Sequence, residues 1–478
     1  MKKEKFRCHP SIILEKTFVF VLLLIFIIIY NFDDVKKLIE SGMTLEKIVI
    51  NITIITIFIF VLIYNIVIWK TTFISIENDT IVVKKNAIFY RKNTYGIKNI
   101  SNINLEQNML ERMIGTYKIK IDTDSLSTAN ETDIEIILSK KKAQQFKNRV
   151  LQLMDIGKPE SVKEETNYIR YSFFSILKHC FFNISIIGLT FNLILIGVSS
   201  FISLNMDKNQ SVFAITIIDI TAYFSIIRLF IGDLFKYYNF TIYRKEDTLY
   251  ISYGLFKLRR FNIPISRINA LNIRQTFISR LCKMYESSIV TIGIGDDKKE
   301  GSKILLYSSK EMFLKNMRTL IPEIDIEENL NFKKERKLSL IIRFFYIIIS
   351  VIVLNITIIY ISFIFKTLIT IDIAIKINKI FLIIILLYNF LTYMTKGIYI
   401  GEYTVSVSRG LFIKYISIID YRKIQYVKLR QTPISSVLKL SKGELHILAG
   451  LNKEKIKTGY YYNDIYKTIK NRLLKNTI

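Results

Sequence analysis

The eleven residues ISRINALNIRQ, Ile265–Gln275, return in two altered copies, IKNISNINLEQ at Ile97–Gln107 and YRKIQYVKLRQ at Tyr421–Gln431. With Gln107, Gln275 and Gln431 in register, the match runs backwards without a gap. Seven residues before each glutamine stand Ile100, Ile268 and Ile424, and four before stand Ile103, Leu271 and Val427. Twenty-one residues before stand Asn86, Gly254 and Gly410, and twenty-seven before stand Thr80, Thr248 and Thr404. Three ungapped blocks of this length are not a chance alternation of apolar residues. They mark an internal repeat, whose period sets the domain count.

Within each block TIVVKKNAIF, TLYISYGLFK and TVSVSRGLFI read as strand, tight turn and strand. Asn and Gly share the turn position because both tolerate a positive φ. The alternation in YISYG and VSVSRG is that of half-buried antiparallel strands. Downstream, TYKIKID, SSIVTIGIG and GELHILAG continue the strand pattern. Each copy then closes with an amphipathic helix, carrying Phe146, Val150 and Leu153, then Phe313, Met317 and Leu320, then Ile465, Ile469 and Leu473 on one face. Ser139 is the expected N-cap of the first helix, and Ser308 with Glu311 the expected capping box of the second. About seven short strands and one helix predict a small barrel or sandwich closed by a C-terminal helix.

Between the repeats lie long apolar runs. A bilayer core takes about 20 apolar helical residues. Thr17–Phe32, Ile48–Trp69, His179–Met206, Ser211–Ile231, Phe344–Phe365 and Ile375–Thr395 read as six spans in three hairpins. The predicted organisation is hairpin 1 over 1–70 and domain 1 over 71–160, hairpin 2 over 171–236 and domain 2 over 237–326, and hairpin 3 over 338–396 and domain 3 over 397–478. The basic N-terminus MKKEKFR before an apolar run, with no small-residue cleavage site, reads as an uncleaved anchor.

Composition agrees. Of 478 residues, 51% are hydrophobic, the formal net charge is +28 and the mean hydropathy is +0.31. Few soluble chains combine these, whereas apolar spans joined to basic aqueous domains do. A nucleic-acid binder shares the charge but not runs such as FVFVLLLIFIIIY, so no nucleic acid is expected. The short loops inside the hairpins hold only Lys36, Lys37 and Lys47, then Lys208, then Lys366, Lys376 and Lys379. The remaining basic residues lie mostly at the N-terminus and in the long segments, which the positive-inside rule places in the cytoplasm with both termini.

Chemistry is sparse. His9, His179 and His446 fall at no metal-ligand spacing, and Cys8, Cys180 and Cys282 form no CxxC pair. TIGIGDD is a hairpin in strand context, and Asp296 with Asp297, and Glu327 with Glu328, read as solvated loop carboxylates. No catalytic residue, cofactor or metal is implied, and the chain is not expected to be an enzyme. Asp219 lies near the middle of the fourth span, where a carboxylate is costly; it is expected to pair and hold helices together rather than to serve an ion pathway. The segment 236–340 holds 20 basic and 12 acidic residues, and 396–478 holds 16 and 5. Lys257, Arg259 and Arg260 form the densest basic group near the strands. They are either a phospholipid headgroup site or general attraction to an anionic leaflet. The repeat glutamines are expected to satisfy backbone groups where strand meets turn.

The motif IPISRINALNIRQTFISRLCKM, after a membrane hairpin and a G-L-F turn, resembles the bacterial pleckstrin-homology (PH) domain membrane proteins of the YdbT type. The second repeat matches best, through Pro264, Arg267, Ile268, Leu271, Gln275 and Arg280. The first keeps Gln107, Arg112 and Gly115 but has Lys98 and Asn99 in place of Ser266 and Arg267. The third keeps Lys423, Ile424 and Gln431, with Ser436 where the arginine stands. The resemblance covers essentially the whole chain. It implies PH-like domains, a bacterial cell-membrane location and, loosely, an envelope or membrane-stress role. The expected function is a non-enzymatic array of three domains that engages the bilayer, anionic headgroups and a membrane or cytosolic protein, with homo- and hetero-oligomers both open. The competing reading is a transporter or export component built on the six helices.

Overall fold

A computed structural model of the chain describes residues 4–30, 45–77, 79–86, 90–123, 134–153, 168–205, 208–291, 302–324, 331–364, 371–448 and 454–477. Lys36, Lys37, Lys366, Asp296, Asp297, Glu327 and Glu328 lie outside the described residues. Two compact units result, one of residues 1–165 with 256–261, the other of 166–255 with 262–478.

In the first unit β1 (Glu4–Phe6) precedes two apolar helices, α1 (Ser11–Tyr30) and α2 (Leu45–Thr71). Then follow β2 (Thr72–Glu77), β3 (Thr80–Asn86), β4 (Tyr90–Gly96), β5 (Ile100–Gln107), α3 (Met109–Ile114), β6 (Thr116–Thr123), β7 (Ile134–Ser139) and α4 (Lys140–Leu153). Antiparallel β1–β4 form one sheet, and β5–β7 pair in turn in a second. Between the two sheets lies a core of Ile74, Ile81, Ile97, Ile119 and Ile121, into which α4 sets Phe146 and Val150. The expected helix stripe is therefore the plug of the sandwich.

The second unit builds this arrangement again. Its first copy has β8 (Ile169–Arg170), α5 (Phe173–Asn183), α6 (Ile186–Asn205), α7 (Lys208–Lys236), β9 (Thr241–Lys245), β10 (Thr248–Tyr253) and β11 (Leu258–Pro264), whose residues up to Phe261 belong to the first unit. It continues through β12 (Ile268–Thr276), α8 (Phe277–Leu281), β13 (Met284–Thr291), β14 (Ser302–Ser309) and α9 (Lys310–Leu320). The next copy has β15 (Lys333–Lys334), α10 (Ser339–Ile364), α11 (Ile371–Thr395), β16 (Gly397–Ile400), β17 (Thr404–Arg409), β18 (Ile413–Asp420), β19 (Ile424–Arg430), α12 (Pro433–Val437), β20 (Leu440–Ile447), β21 (Glu454–Tyr462) and α13 (Asn463–Thr477). Phe313, Met317 and Leu320 of α9 are buried, as is Ile469 of α13. The N-cap of α9 is Ser309 rather than Ser308, and its side chain makes no capping bond.

A short strand precedes each pair of apolar helices, a feature absent from the sequence reading. Phe6 pairs with Ile74, Ile169 with Ile242, and Lys333 with Ile398. Counted back from the repeat glutamines, Ile74, Ile242 and Ile398 occupy one and the same position, so the three insertions share one site in the fold. The helices are thus inserted into the first β-hairpin of each domain, and both ends of the insertion are bonded into one sheet. Four described helices are long and apolar enough to cross a bilayer, through Ile52–Thr71, Ile215–Lys236, Ser339–Tyr360 and Ile375–Thr395. A fifth span results if α5 and the start of α6, bent by 67° against each other, count as one. The expected third span, from His179, therefore starts differently: His179 lies on α5, and the unbroken apolar helix starts at Ile186. Phe60, Phe224 and Ile383 are among many large apolar side chains on these helices that no protein covers, as lipid-facing surfaces require.

Candidate interaction surface

Each repeat glutamine ends or directly follows a strand, or stands one residue short of its end, and each does the same thing. Gln107 Nε2 donates to Thr116 O at 2.8 Å, Gln275 Nε2 to Met284 O at 3.1 Å, and Gln431 Nε2 to Leu440 O at 3.4 Å and Ser441 Oγ at 2.9 Å. The carbonyl acceptors occupy equivalent positions in all three repeats, so the amide clamps the base of a connection that carries a short helix. The residue after the glutamine caps that helix: Asn108, Thr276 and Thr432 each accept from a backbone N–H one turn on, at Glu111, Ser279 and Ser435. Gly254 and Gly410 sit at φ 119° and 101° in the turns, and a Cβ on Gly410 would lie 1.9 Å from Ile413 O. Asn86 ends β3 opposite Tyr90. Arg112 is exposed on α3, whereas the matching Arg280 reaches the next repeat and donates to Leu411 O at 3.1 Å.

That contact belongs to a junction between repeats. In the second unit β12 pairs antiparallel with β18, Gln275 opposite Lys414, Ile273 opposite Ile416 and Leu271 opposite Ile418. Seven strands thereby join in one sheet, in the order β14-β13-β12-β18-β17-β16-β15. Ser417 Oγ donates to Asn272 Oδ1 at 2.6 Å in its interior, and Asn269 Nδ2 donates to Leu448 O at 2.8 Å. Within the first unit β5 takes up residues 258–260 the same way, Gln107 opposite Leu258 and Glu106 opposite Arg259. Leu258 and Lys414 hold equivalent positions, each the same distance along the chain before its own repeat glutamine. The register of both junctions is therefore identical. Register in a two-sided buried sheet is strongly specified, and here it is specified twice.

The basic group 257–260 lies in the first of these junctions. Lys257 Nζ is 2.9 Å from Glu106 Oε2, Arg259 Nε is 4.0 Å from Glu106 Oε1, and the Arg260 guanidinium stands 5.9 Å from the Tyr117 ring centre. Two of these cations therefore face a buried carboxylate of another repeat, which sequence reading did not connect to them.

Where the helices root in their domains, the repeats use different polar clusters. In the second repeat α5 presses fully buried His179 against β13 and β14: Tyr307 N donates to its Nδ1 at 3.3 Å, and Lys303 Nζ lies 3.2 Å from Nε2. Lys303 and Arg274 both face buried Glu286, at 3.1 and 3.3 Å. The Arg274 guanidinium is held well above its ordinary pKa, burial opposing the charge and Glu286 with its neighbours more than offsetting that cost. In the third repeat buried Glu335 pairs with Arg343 and accepts from Tyr460 N at 2.8 Å. Close by, burial lowers Lys396 to about 8, Glu335 opposing and Arg343 and Lys442 reinforcing the shift. In the first repeat Glu15 pairs with Lys118, and Trp69 Nε1 donates to Cys8 O at 2.8 Å. Asp219, on α7, accepts from Ser199 Oγ of α6 at 2.7 Å. Among the described residues, no three His, Cys, Asp or Glu side chains gather as they would around a metal ion.

Among the described residues, the third copy of the junction strand has no neighbour on its outer side: β19 pairs with β20 alone and ends its sheet. Leu105 and Ile273, two residues before their glutamines, are 7% and 4% exposed, but the equivalent Leu429 is 46% exposed. Lys428 and Arg430 are exposed beside it, and Arg430 reaches Glu444 of β20 at 3.0 Å without being covered.

Comparison with known proteins places these features in context. The family model for the bacterial PH domain matches residues 17–154, 191–312 and 342–472. Transmembrane protein YdbT (UPF0699) of Bacillus subtilis (strain 168) is 27% identical over 304 residues, which are 57% of this chain and 60% of that relative. The match thus spans less than two thirds of the relative's length. No solved structure matches the chain.

Proposed function

The chain belongs to the bacterial PH domain family, and from that premise we propose that it is a non-enzymatic, multi-pass protein of the cell membrane. In this reading six helices, two per repeat, hold three PH-like domains on the cytoplasmic side as an interaction array for a protein or lipid partner. The observation that carries it is the identical register of the two junctions, Gln107 opposite Leu258 and Gln275 opposite Lys414. A register kept twice makes the strand after each turn a reusable contact element, and several weak contacts on one chain act with a raised effective concentration. The excess of Lys and Arg in the long segments supports the cytoplasmic side. Both ends of each helical insertion meet in one sheet, which agrees with an even number of crossings. A role in envelope or membrane stress rests on family resemblance alone. The transporter alternative needs a polar path at the bilayer midplane; the Asp219–Ser199 bond instead joins two neighbouring helices.

The test is topological and then biochemical. Cys8 and Cys180 are buried and Cys282 is exposed, so Cys282 reports on the second domain as it stands. Lys92→Cys and Lys439→Cys, made in a Cys282→Ser background, report on the other two. A membrane-impermeant thiol reagent should label none of the three in intact cells and all after lysis. In-cell crosslinking should then recover a defined protein or lipid partner. Labelling in intact cells, or the absence of any crosslinked partner, refutes the cytoplasmic array.

A further inference from the structure

We infer that the outer edge of β19 is a docking strand for an extended acidic segment of a partner protein, added antiparallel in the register of the two internal junctions. The inference rests on the array reading and names its partner chemistry. Three observations carry it. The same strand occurs three times and is covered twice by an added strand, so the geometry for accepting one is already built. The third copy keeps the features that the covered copies use. Gln431 braces the following turn, Thr432 caps the short helix, and Leu429 stands where Leu105 and Ile273 are buried. The electrostatics, finally, select the occupant. At the first junction Glu106, one residue before the glutamine, gathers Lys257 and Arg259 of the added strand. Arg430 takes that position in the third copy, with Lys428 two residues before it. Glu444 answers Arg430 from within the sheet, yet both cations stay open on the outer side. At the second junction Arg274 holds the position of Arg430, but it is answered by buried Glu286, and Asn272 stands in the place of Lys428. A pair of exposed cations sets the third copy apart, and the complement of its edge is acidic.

A second copy of the chain is a poor occupant. Its β4 is the strand equivalent to β11 and β18, and in the same register it would set Arg91 against Arg430 and Lys92 against Leu429. Like charges directly opposite each other destabilise an antiparallel pair, so the array is closed to its own kind. Main-chain bonds supply affinity in such strand addition, and side chains supply selection.

The probe is a fluorescent peptide of this chain's own added strand, Leu255–Ile263, in its native basic form and in an acidic form carrying Lys257→Glu, Arg259→Glu and Arg260→Glu. Anisotropy is read against the full chain in phosphatidylcholine nanodiscs, where no anionic lipid competes. The acidic peptide should bind at least roughly tenfold more tightly than the basic one. Lys428→Glu with Arg430→Glu should invert that order. Leu258→Pro together with Phe261→Pro in the acidic peptide should abolish binding, because these two N–H groups point to opposite sides of the strand and one of them must face the partner. Failure of both peptides to bind, or binding indifferent to charge or to proline, overturns the inference and leaves Lys428 and Arg430 as guards of a closed edge. Crosslinking between copies at Lys92→Cys and Leu429→Cys would overturn it in favour of self-assembly. The peptide assay does not depend on where the domains face in the cell, so its failure and that of the array reading are separately visible.

Discussion

The second and third repeats contain the same strand in opposite circumstances. In β12 nearly every residue is buried, because β18 lies along its outer side; in β19 most are exposed. Local sequence does not make the difference, since INALNIRQ and IQYVKLRQ read alike as strands. What differs is whether a strand of another repeat lies along the outer side: β18 does so for β12, and none does so for β19 among the described residues. The same contrast holds at the roots of the helices: Glu286 of the second repeat is a buried anion between two cations, whereas Lys442 occupies its position in the third. A repeat thus keeps its backbone and varies the side chains that each copy must set against its own neighbours.

The largest effect should come from placing a charge on both strands. Ile273→Asp puts a carboxylate into a dry junction and should cost about 3–5 kcal/mol, whereas Leu429→Asp should stay within about 0.5 kcal/mol. Hydrogen exchange of the β12 and β19 amides reads this repeat by repeat. Equal losses would show that the β12–β18 pairing contributes no burial. Next, Glu286→Gln should cost about 3 kcal/mol by leaving Arg274 and Lys303 without their counter-charge. Lys442→Gln should be neutral or stabilising, because burial lowers the Lys442 pKa and its charge is disfavoured there. Thermal unfolding of the two variants in one detergent checks the pair.

Smaller still is a pH effect confined to the third repeat. Lys396 stands where the second repeat has buried Phe240, and its folded pKa is about 8 against an ordinary 10.5. Between those values the unfolded chain binds the extra proton, so stability should rise as pH rises from about 8 to about 10.5. Lys396→Phe should flatten the rise, and an unchanged slope would remove Lys396 as its source. Least of all, Gln275→Ala should cost about 1–2 kcal/mol, and Gln431→Ala under about 1 kcal/mol because its site is wetter. Thermal unfolding in the same detergent ranks the two.

Much of the fold was legible because repetition amplifies weak local signals. The strand–turn–strand blocks, Gly254 and Gly410 in their turns, and the buried stripes of Phe146 and Val150 and of Phe313 and Met317 all follow from local periodicity. The strands Glu4–Phe6, Ile169–Arg170 and Lys333–Lys334 were not legible: two or three residues cannot display alternation, and their partners lie beyond two helices. The short helices after the glutamines were missed although Asn108, Thr276 and Thr432 are good caps, because five or six residues show no helical period. The bend after Asn183 hid inside a uniformly apolar run. The junction register was beyond reach, since it joins strands of different repeats and no local pattern encodes a neighbour. Lys257 and Arg259 drew notice as a surface group for the same reason: their carboxylate, Glu106, sits in another repeat.

The helical insertion between the first two strands of each domain also fixes an order of events in the life of the chain. Phe6 must wait for Ile74, on the far side of a whole helical hairpin, before its sheet can close. In the proposed arrangement of two crossings per repeat, everything between them passes into the bilayer and out again first. Contacts of such separation form late, so each domain is completed only after its own anchor has been laid down. A hairpin that failed to return to its starting side would leave the first strand stranded across the membrane from its partner. In that arrangement, folding of each aqueous domain acts as a proofreading step for the insertion of its own helices.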